Sequence, residues 1–219
     1  MAYLFAPEVL TQIVRMHVGL PIERQFEAVG RTLTQVYGDH VSPGQPWLWS
    51  TSGGLMSAIS PLHVSHNEYL MFCGTAIGSE GHSGRHRAEL YDVVMSGELW
   101  TYEVGSFERN VHRAGDLAHL TRGTSTGSKM RPGVWLLAYA RGNIPSLFPF
   151  AIGDTLFSTL DTTDLVQRLG VSSRLMLKEV LLYLEERRRG APFTPNLDAL
   201  KREGSSAKRP RRTGRANVN

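Results

Sequence analysis

The sequence predicts an α+β protein: N-terminal helices, a small β-barrel or sandwich, and a helical C-terminal cover. Three observations carry this. Apolar residues follow a helical period before residue 38 and again after residue 145. Between them, short runs of strand-forming residues recur, separated mostly by Gly, Ser, Asn or Pro. A hydrophobic content of 41% over 219 residues supports one folded domain with a sizeable core.

Residues 7–18 read as a short helix with Val9, Leu10, Ile13 and Val14 on one side. Residues 22–37 form a clearer one: Ile22, Phe26, Val29, Leu33 and Val36 share a face, and Glu23, Arg24, Glu27 and Arg31 lie elsewhere on the wheel. Two Gly and two Pro between Gly38 and Pro46 make a loop. Strands are expected at 47–51, 68–73, 88–95, 98–104, 109–113, 117–121 and 133–140. Glycines at 74, 78, 81 and 84 punctuate a loop ahead of the strand at 88–95. Residues 146–160 and 171–188 read as helices. The second has a wide apolar face, through Leu175, Met176, Leu177, Val180, Leu181, Leu182 and Leu184, and Gly190 is a plausible stop. Such a face fits a helix lying on a membrane, a helix closing the mouth of the barrel, or a core helix.

The domain is placed at residues 1–190 and a disordered basic tail at 191–219. KRE, KRPRR and GRA in that tail supply much of the net charge of +4, and nothing in the body resembles a nucleic-acid-binding motif, so no nucleic-acid partner is expected. One cysteine, Cys73, excludes an intrachain disulfide and reads as a small core residue. No uninterrupted apolar run reaches the ~20 residues of a spanning helix.

The most informative strand is AELYDVVMS. Leu90, Asp92 and Val94 share one face; Glu89, Tyr91, Val93 and Met95 share the other. Asp92 therefore lies mid-strand on an otherwise apolar face, where a carboxylate must be hydrogen-bonded, paired or protonated. A second candidate is metal: His82, His86, Glu89 and a later His119 resemble a cupin ligand set, but the two histidines flank a glycine loop instead of sitting two apart on one strand. No metal and no cofactor is assigned. A third feature is aromatic: Tyr69, Phe72, Trp100, Tyr102, Trp135 and Tyr139, suited to stabilising a cation or packing a flat ligand, and equally to ordinary strand packing.

GTAIGSEGHSGR, followed by AELYD and SG, then WLLAYARG, IPS and DTLFSTLD, resembles the family of fungal sterol delta-8 isomerases and the sigma-1 receptor, over roughly residues 3–188. The resemblance implies a cupin-like β-barrel without metal, covered by a C-terminal amphipathic helical pair that rests on a membrane. It implies an enclosed apolar site in which an acid protonates an alkene and a base removes a proton from a neighbouring carbon. Two carboxylates share that work in the family. The first matches Asp92; the second falls at Ala138. A lone desolvated Asp92 is then expected to sit as the neutral acid. Glu103, His119 and Tyr69 are the candidate replacement bases. Tyr69, Leu55, Cys73, Leu120, Trp135 and Ala138 are assigned to substrate binding, and His63 matches a family histidine read as structural.

The function these features imply is an acid-initiated isomerase or terpenoid cyclase of a sterol-like or other isoprenoid olefin. The alternative is a non-catalytic, receptor-like binder of hydrophobic or amine ligands. The expected partners are a hydrophobic small molecule, a membrane surface met by the C-terminal helices, and further copies in a homotrimer. The expected location is the peripheral endoplasmic reticulum membrane, with cytoplasm as the alternative, because the chain starts about where the folded domain of its relatives starts and lacks their N-terminal anchor.

Overall fold

The computed structural model describes residues 3–207. Helices α1 (Pro7–His17) and α2 (Ile22–Tyr37) lead into ten strands: β1 (Leu48–Ser52), β2 (Leu55–Val64), β3 (Glu68–Thr75), β4 (Ser79–His82), β5 (Ala88–Ser96), β6 (Glu98–Tyr102), β7 (Asn110–Arg113), β8 (Leu117–Leu120), β9 (Gly127–Met130) and β10 (Val134–Gly142). A short 3₁₀ turn then precedes α3 (Phe148–Asp154), a π-helical turn at Thr155–Thr159, α4 (Thr162–Arg189) and α5 (Leu197–Ala207).

The strands form a six-stranded antiparallel sheet in the order β1-β2-β3-β10-β5-β8 and a four-stranded one in the order β4-β9-β6-β7. The large sheet has two different apolar faces because its side chains alternate. Leu70, Phe72, Tyr91, Val93, Met95, Leu137 and Tyr139 pack against α1 and α2. Cys73, Val94, Leu136 and Ala138 point the other way, toward Leu99 and Met130 of the small sheet and Val171 and Leu175 of α4. The second face is the interior of a barrel.

Strands at 68–73, 88–95 and 133–140 lie where the alternation placed them. Three strands were not expected. Strand β2 is buried on both faces over most of its length, so it shows no alternation, and Pro61 disguised it further. Pro61 is tolerated because β1 pairs only with residues 55–59 and the register to β3 shifts between Pro61 and His63. Strands β4 and β9 are short and rich in Gly and Ser. The glycine segment 74–84 is therefore partly a strand. It crosses tightly under the β1–β2 turn: a Cβ on Gly81 would strike the Gly53 carbonyl, and one on Gly53 would strike the His82 carbonyl.

The C-terminal part differs from the expected pattern in two ways. Helix α4 begins at Thr162, nine residues earlier than the apolar face suggested, with the Asp161 side chain capping the Asp164 N–H at 3.0 Å. It ends at Gly190 in the left-handed conformation, as expected. The disordered tail placed at 191–219 is corrected over 197–207. Those residues form α5, which buries Leu200 and packs on α2, while the Asn196 N–H donates to the Val36 carbonyl at 2.8 Å. Residues 208–219, the most basic part of that segment, lie outside the described residues.

Candidate functional site

The barrel interior holds a cavity of about 260 Å³. Strands β3, β5 and β10 supply its floor through Tyr69, Met71, Cys73, Leu90, Asp92, Leu136 and Ala138. The small sheet adds Leu99 and Met130, and α3 and α4 close the mouth with Phe148, Phe150, Leu165, Arg168, Leu169 and Ser172.

Asp92 faces this cavity, and its cross-strand neighbours in register are Ala138 on β10 and Ala118 on β8. Neither offers a polar side-chain atom. Among the described residues no side chain or amide hydrogen-bonds the Asp92 carboxyl. Part of its surface borders the void and so counts as accessible, although the group lies deep in the molecule. That loss of hydration raises its pKa to about 6. The acid therefore holds its proton to a higher pH than an exposed aspartate does. The shift runs in the direction expected for a lone desolvated carboxyl.

The other site residues divide clearly. Tyr69, Leu55, Cys73 and Ala138 line the cavity with Asp92. Burial pushes the Tyr69 hydroxyl up to about 12, and Ser172 hydrogen-bonds it. The Cys73 thiol is also raised to about 12 by burial and approaches Ser57 Oγ at 3.5 Å, so it is a core thiol and not a nucleophile. Trp135 is elsewhere: it packs edge-on to Phe26 and Trp47 on the outer face of the sheet. Leu120 pairs with Leu90 on β5 and is not among the cavity-lining residues. The assignment of Trp135 to substrate binding is corrected, while Leu120 shares the sheet face of its cavity-lining partner Leu90. Strand alternation explains the correction, since Trp135 lies one residue from Leu136 and faces the opposite way.

Of the three replacement bases, Glu103 and His119 are exposed, and His119 stacks on Tyr91 at 4.3 Å between ring centroids. Only Tyr69 reaches the cavity. His86 also lines it, which the sequence did not single out for this role. Its Nε2 lies 2.8 Å from the Ser83 carbonyl, which can only accept, so Nε2 donates there and Nδ1 is the ring nitrogen left over. The cupin-type ligand set is not assembled. Glu89 is held by Arg141 at 2.7 Å and by Tyr91 at 2.8 Å, and His82 Nδ1 accepts from the Gly84 N–H. Among the described residues no three His, Cys, Asp or Glu side chains converge on a metal position.

A polar cluster behind the site ties α4 to the body. His40 Nδ1 contacts Glu179 at 2.9 Å and Nε2 contacts Glu186 at 3.0 Å. Burial opposes the His40 charge, but Glu179 and then Glu186 outweigh it and raise the pKa. His63 is buried, with Nδ1 at 2.9 Å from the His40 carbonyl. On the opposite side of α4, Leu177, Val180, Leu181 and Leu184 are exposed at i, i+3, i+4 and i+7. The wide apolar face thus serves twice: Val171 and Leu175 go inward and the leucine stripe goes outward. Among the described residues no helix is long and apolar enough to cross a membrane.

The class of fold is α+β: two antiparallel sheets form a barrel flanked by helices, with a largely apolar cavity that Asp92 faces. The chain belongs to the family described as ERG2 and Sigma1 receptor like protein, whose family model matches residues 1–183. It is 43% identical over 143 residues to a C-8 sterol isomerase of Pyricularia oryzae, a match covering 65% of each chain. It is 34% identical over 179 residues to the sigma non-opioid intracellular receptor 1 of Gallus gallus, covering 81% of each. The match thus spans slightly less than two thirds of the fungal isomerase's length. Among solved structures, an RmlC-like cupin from Shewanella frigidimarina aligns over 51% of this chain and 97% of its own, at 21% identity and a TM-score of 0.39.

Proposed function

We propose that the protein is an acid-initiated isomerase or cyclase of a sterol-like or other isoprenoid olefin, with Asp92 as the proton donor. The observation that carries this is a carboxyl without a hydrogen-bond partner among the described residues, facing an apolar cavity, with its pKa lifted to about 6. Proton transfer from Asp92 to one alkene carbon forms the new C–H bond and leaves a cation on the other. Loss of a proton from a neighbouring carbon then restores a double bond. His86 Nδ1 and the Tyr69 oxygen are the acceptors at hand for that proton. In the cyclase variant a second double bond of the same chain attacks the cation before the proton is lost.

Catalysis by a desolvated acid needs a dry site, and the apolar side chains that α3 and α4 set over the cavity support one. The exposed leucine stripe of α4, with Phe157 and Leu160 nearby in sequence, supports delivery of the substrate from a membrane surface, in keeping with a peripheral location on the endoplasmic reticulum.

Incubation with unsaturated sterols and linear isoprenoids in deuterated water tests the reaction: deuterium is expected at a former alkene carbon, and not with Asp92→Asn. A second reading, a receptor-like binder, is favoured by one specific observation. Ala138, directly opposite Asp92, supplies no second carboxylate. Saturable binding of a hydrophobic ligand with no deuterium in any tested olefin would decide for it.

A further inference from the structure

The cavity contains a second buried polar group. Arg168 of α4 lines the mouth of the cavity, and only 11% of its side-chain surface is exposed. Its two terminal nitrogens donate to Ser50 Oγ at 3.1 Å and Thr155 Oγ1 at 2.6 Å. Its Nε–H is buried and has no hydrogen-bond partner among the described residues. Asp164 Oδ2 stands 3.7 Å from it, beyond hydrogen-bond range, while the other Asp164 oxygen accepts from the Trp49 N–H at 3.2 Å. A guanidinium presents five N–H donors, so this one is held in place by two hydroxyls with donor capacity in reserve. Asp164 offsets part of the charge, but a buried N–H without an acceptor is costly, and a ligand acceptor removes that cost.

The cation and the acid sit apart. Asp92 lies in register with Ala138, and Ala138 with Met71 in the middle of β3. Arg168 is tied to Ser50 on β1, and in the sheet order β1-β2-β3-β10-β5 three strands stand between that strand and the one carrying Asp92. The site therefore has an acid over its floor and a cation at its mouth, with apolar walls between.

We propose that Arg168, with Ser50, is a specificity determinant that anchors the carboxylate of an amphiphilic substrate, whose apolar isoprenoid body extends inward to Asp92. A planar guanidinium matches a carboxylate in shape and charge. A diphosphate would need more positive charge, and among the described residues no second Lys or Arg lines the cavity. An amine would be repelled by Arg168. This rests on the cavity being the substrate site, as proposed above.

Isothermal titration at about pH 7.5, where a carboxylic acid is ionised, compares all-trans-farnesoic acid, methyl farnesoate and farnesylamine. The acid should bind at least about tenfold more tightly than the ester. Arg168→Met should weaken the acid far more than the ester and bring the acid-to-ester ratio down to about one, and Ser50→Ala should lower that ratio by a smaller factor. Equal binding of acid and ester, or tightest binding of the amine, overturns the anchor and leaves the apolar site standing. Failure of all three to bind overturns both. If Arg168→Met does not fold, the acid-to-ester ratio in the native protein and Ser50→Ala decide the matter.

Discussion

Glu68 and Asp92 are two carboxylates on the same sheet, and they are treated in opposite ways. Glu68, on the face toward the N-terminal helices, is buried and fully engaged. It accepts from the Leu4 N–H at 2.8 Å, the Phe5 N–H at 3.0 Å and the Tyr139 hydroxyl at 2.8 Å. Those bonds pin the chain start across the sheet, and Glu68 in turn pushes the Tyr139 pKa upward, after burial itself. Asp92, on the cavity face, has none of this. The same side-chain chemistry is a structural staple where donors surround it and a reactive acid where they are withheld.

That contrast can be broken in order of effect. Asp92→Asn should lower turnover by about 10²–10⁴, the usual contribution of a positioned acid, in a steady-state assay on the deuterium-positive olefin. Turnover in the native protein should also decline as pH rises above about 6, because Asp92 gives up its proton there. Glu68→Ala should cost about 2–3 kcal/mol in urea unfolding, since it strands the Leu4 and Phe5 N–H groups while the Tyr139 hydroxyl keeps the Phe5 carbonyl as acceptor, without a specific effect on ligand binding.

Asp92→Asn should do the reverse to stability. The folded pKa of about 6 lies above the ordinary 3.8, so the native state binds the proton more tightly and loses stability as pH rises from about 4 to about 6. That difference in proton affinity between the folded and unfolded chain amounts to about 2–3 kcal/mol, which the variant should recover at pH 7 and not below pH 4. A variant less stable than the native protein at pH 7 would mean that Asp92 is bonded after all.

The smallest expected effect is at His40. Its raised pKa means that protonation stabilises the fold, fully below about 6.5 and decreasingly as pH rises through the folded value. Glu179, whose own burial is outweighed by His40 and His63, is held below its ordinary pKa, so the contribution fades again in acid. His40→Ala should therefore cost about 1–2 kcal/mol near pH 6 and less at pH 8, read from thermal melts across pH.

Alternation along AELYDVVMS and WLLAYARG was sufficient to put Asp92 and Ala138 on one face and Tyr91 and Tyr139 on the other, because a strand's period fixes facing without any knowledge of the fold. The motifs in those strands also made the family legible. The same rule could have excluded Trp135, whose neighbour Leu136 shares the inward face with Ala138. Strand β2, buried on both faces, left no periodic signal to find.

What the chain alone determined is therefore local: the order of helices and strands, the face of each side chain and the presence of an acid among apolar neighbours. Tertiary structure decided which groups were brought near that acid and which were kept away. Arg168 reads as one more charged residue on a helix until α4 folds over the barrel mouth, and His86 as a loop histidine until its ring is turned inward. Glu103 and His119 read as possible bases until they emerge on the surface. Desolvation and hydrogen bonding depend on atoms distant in sequence, so the pKa that makes Asp92 useful exists only once the sheets have closed around it.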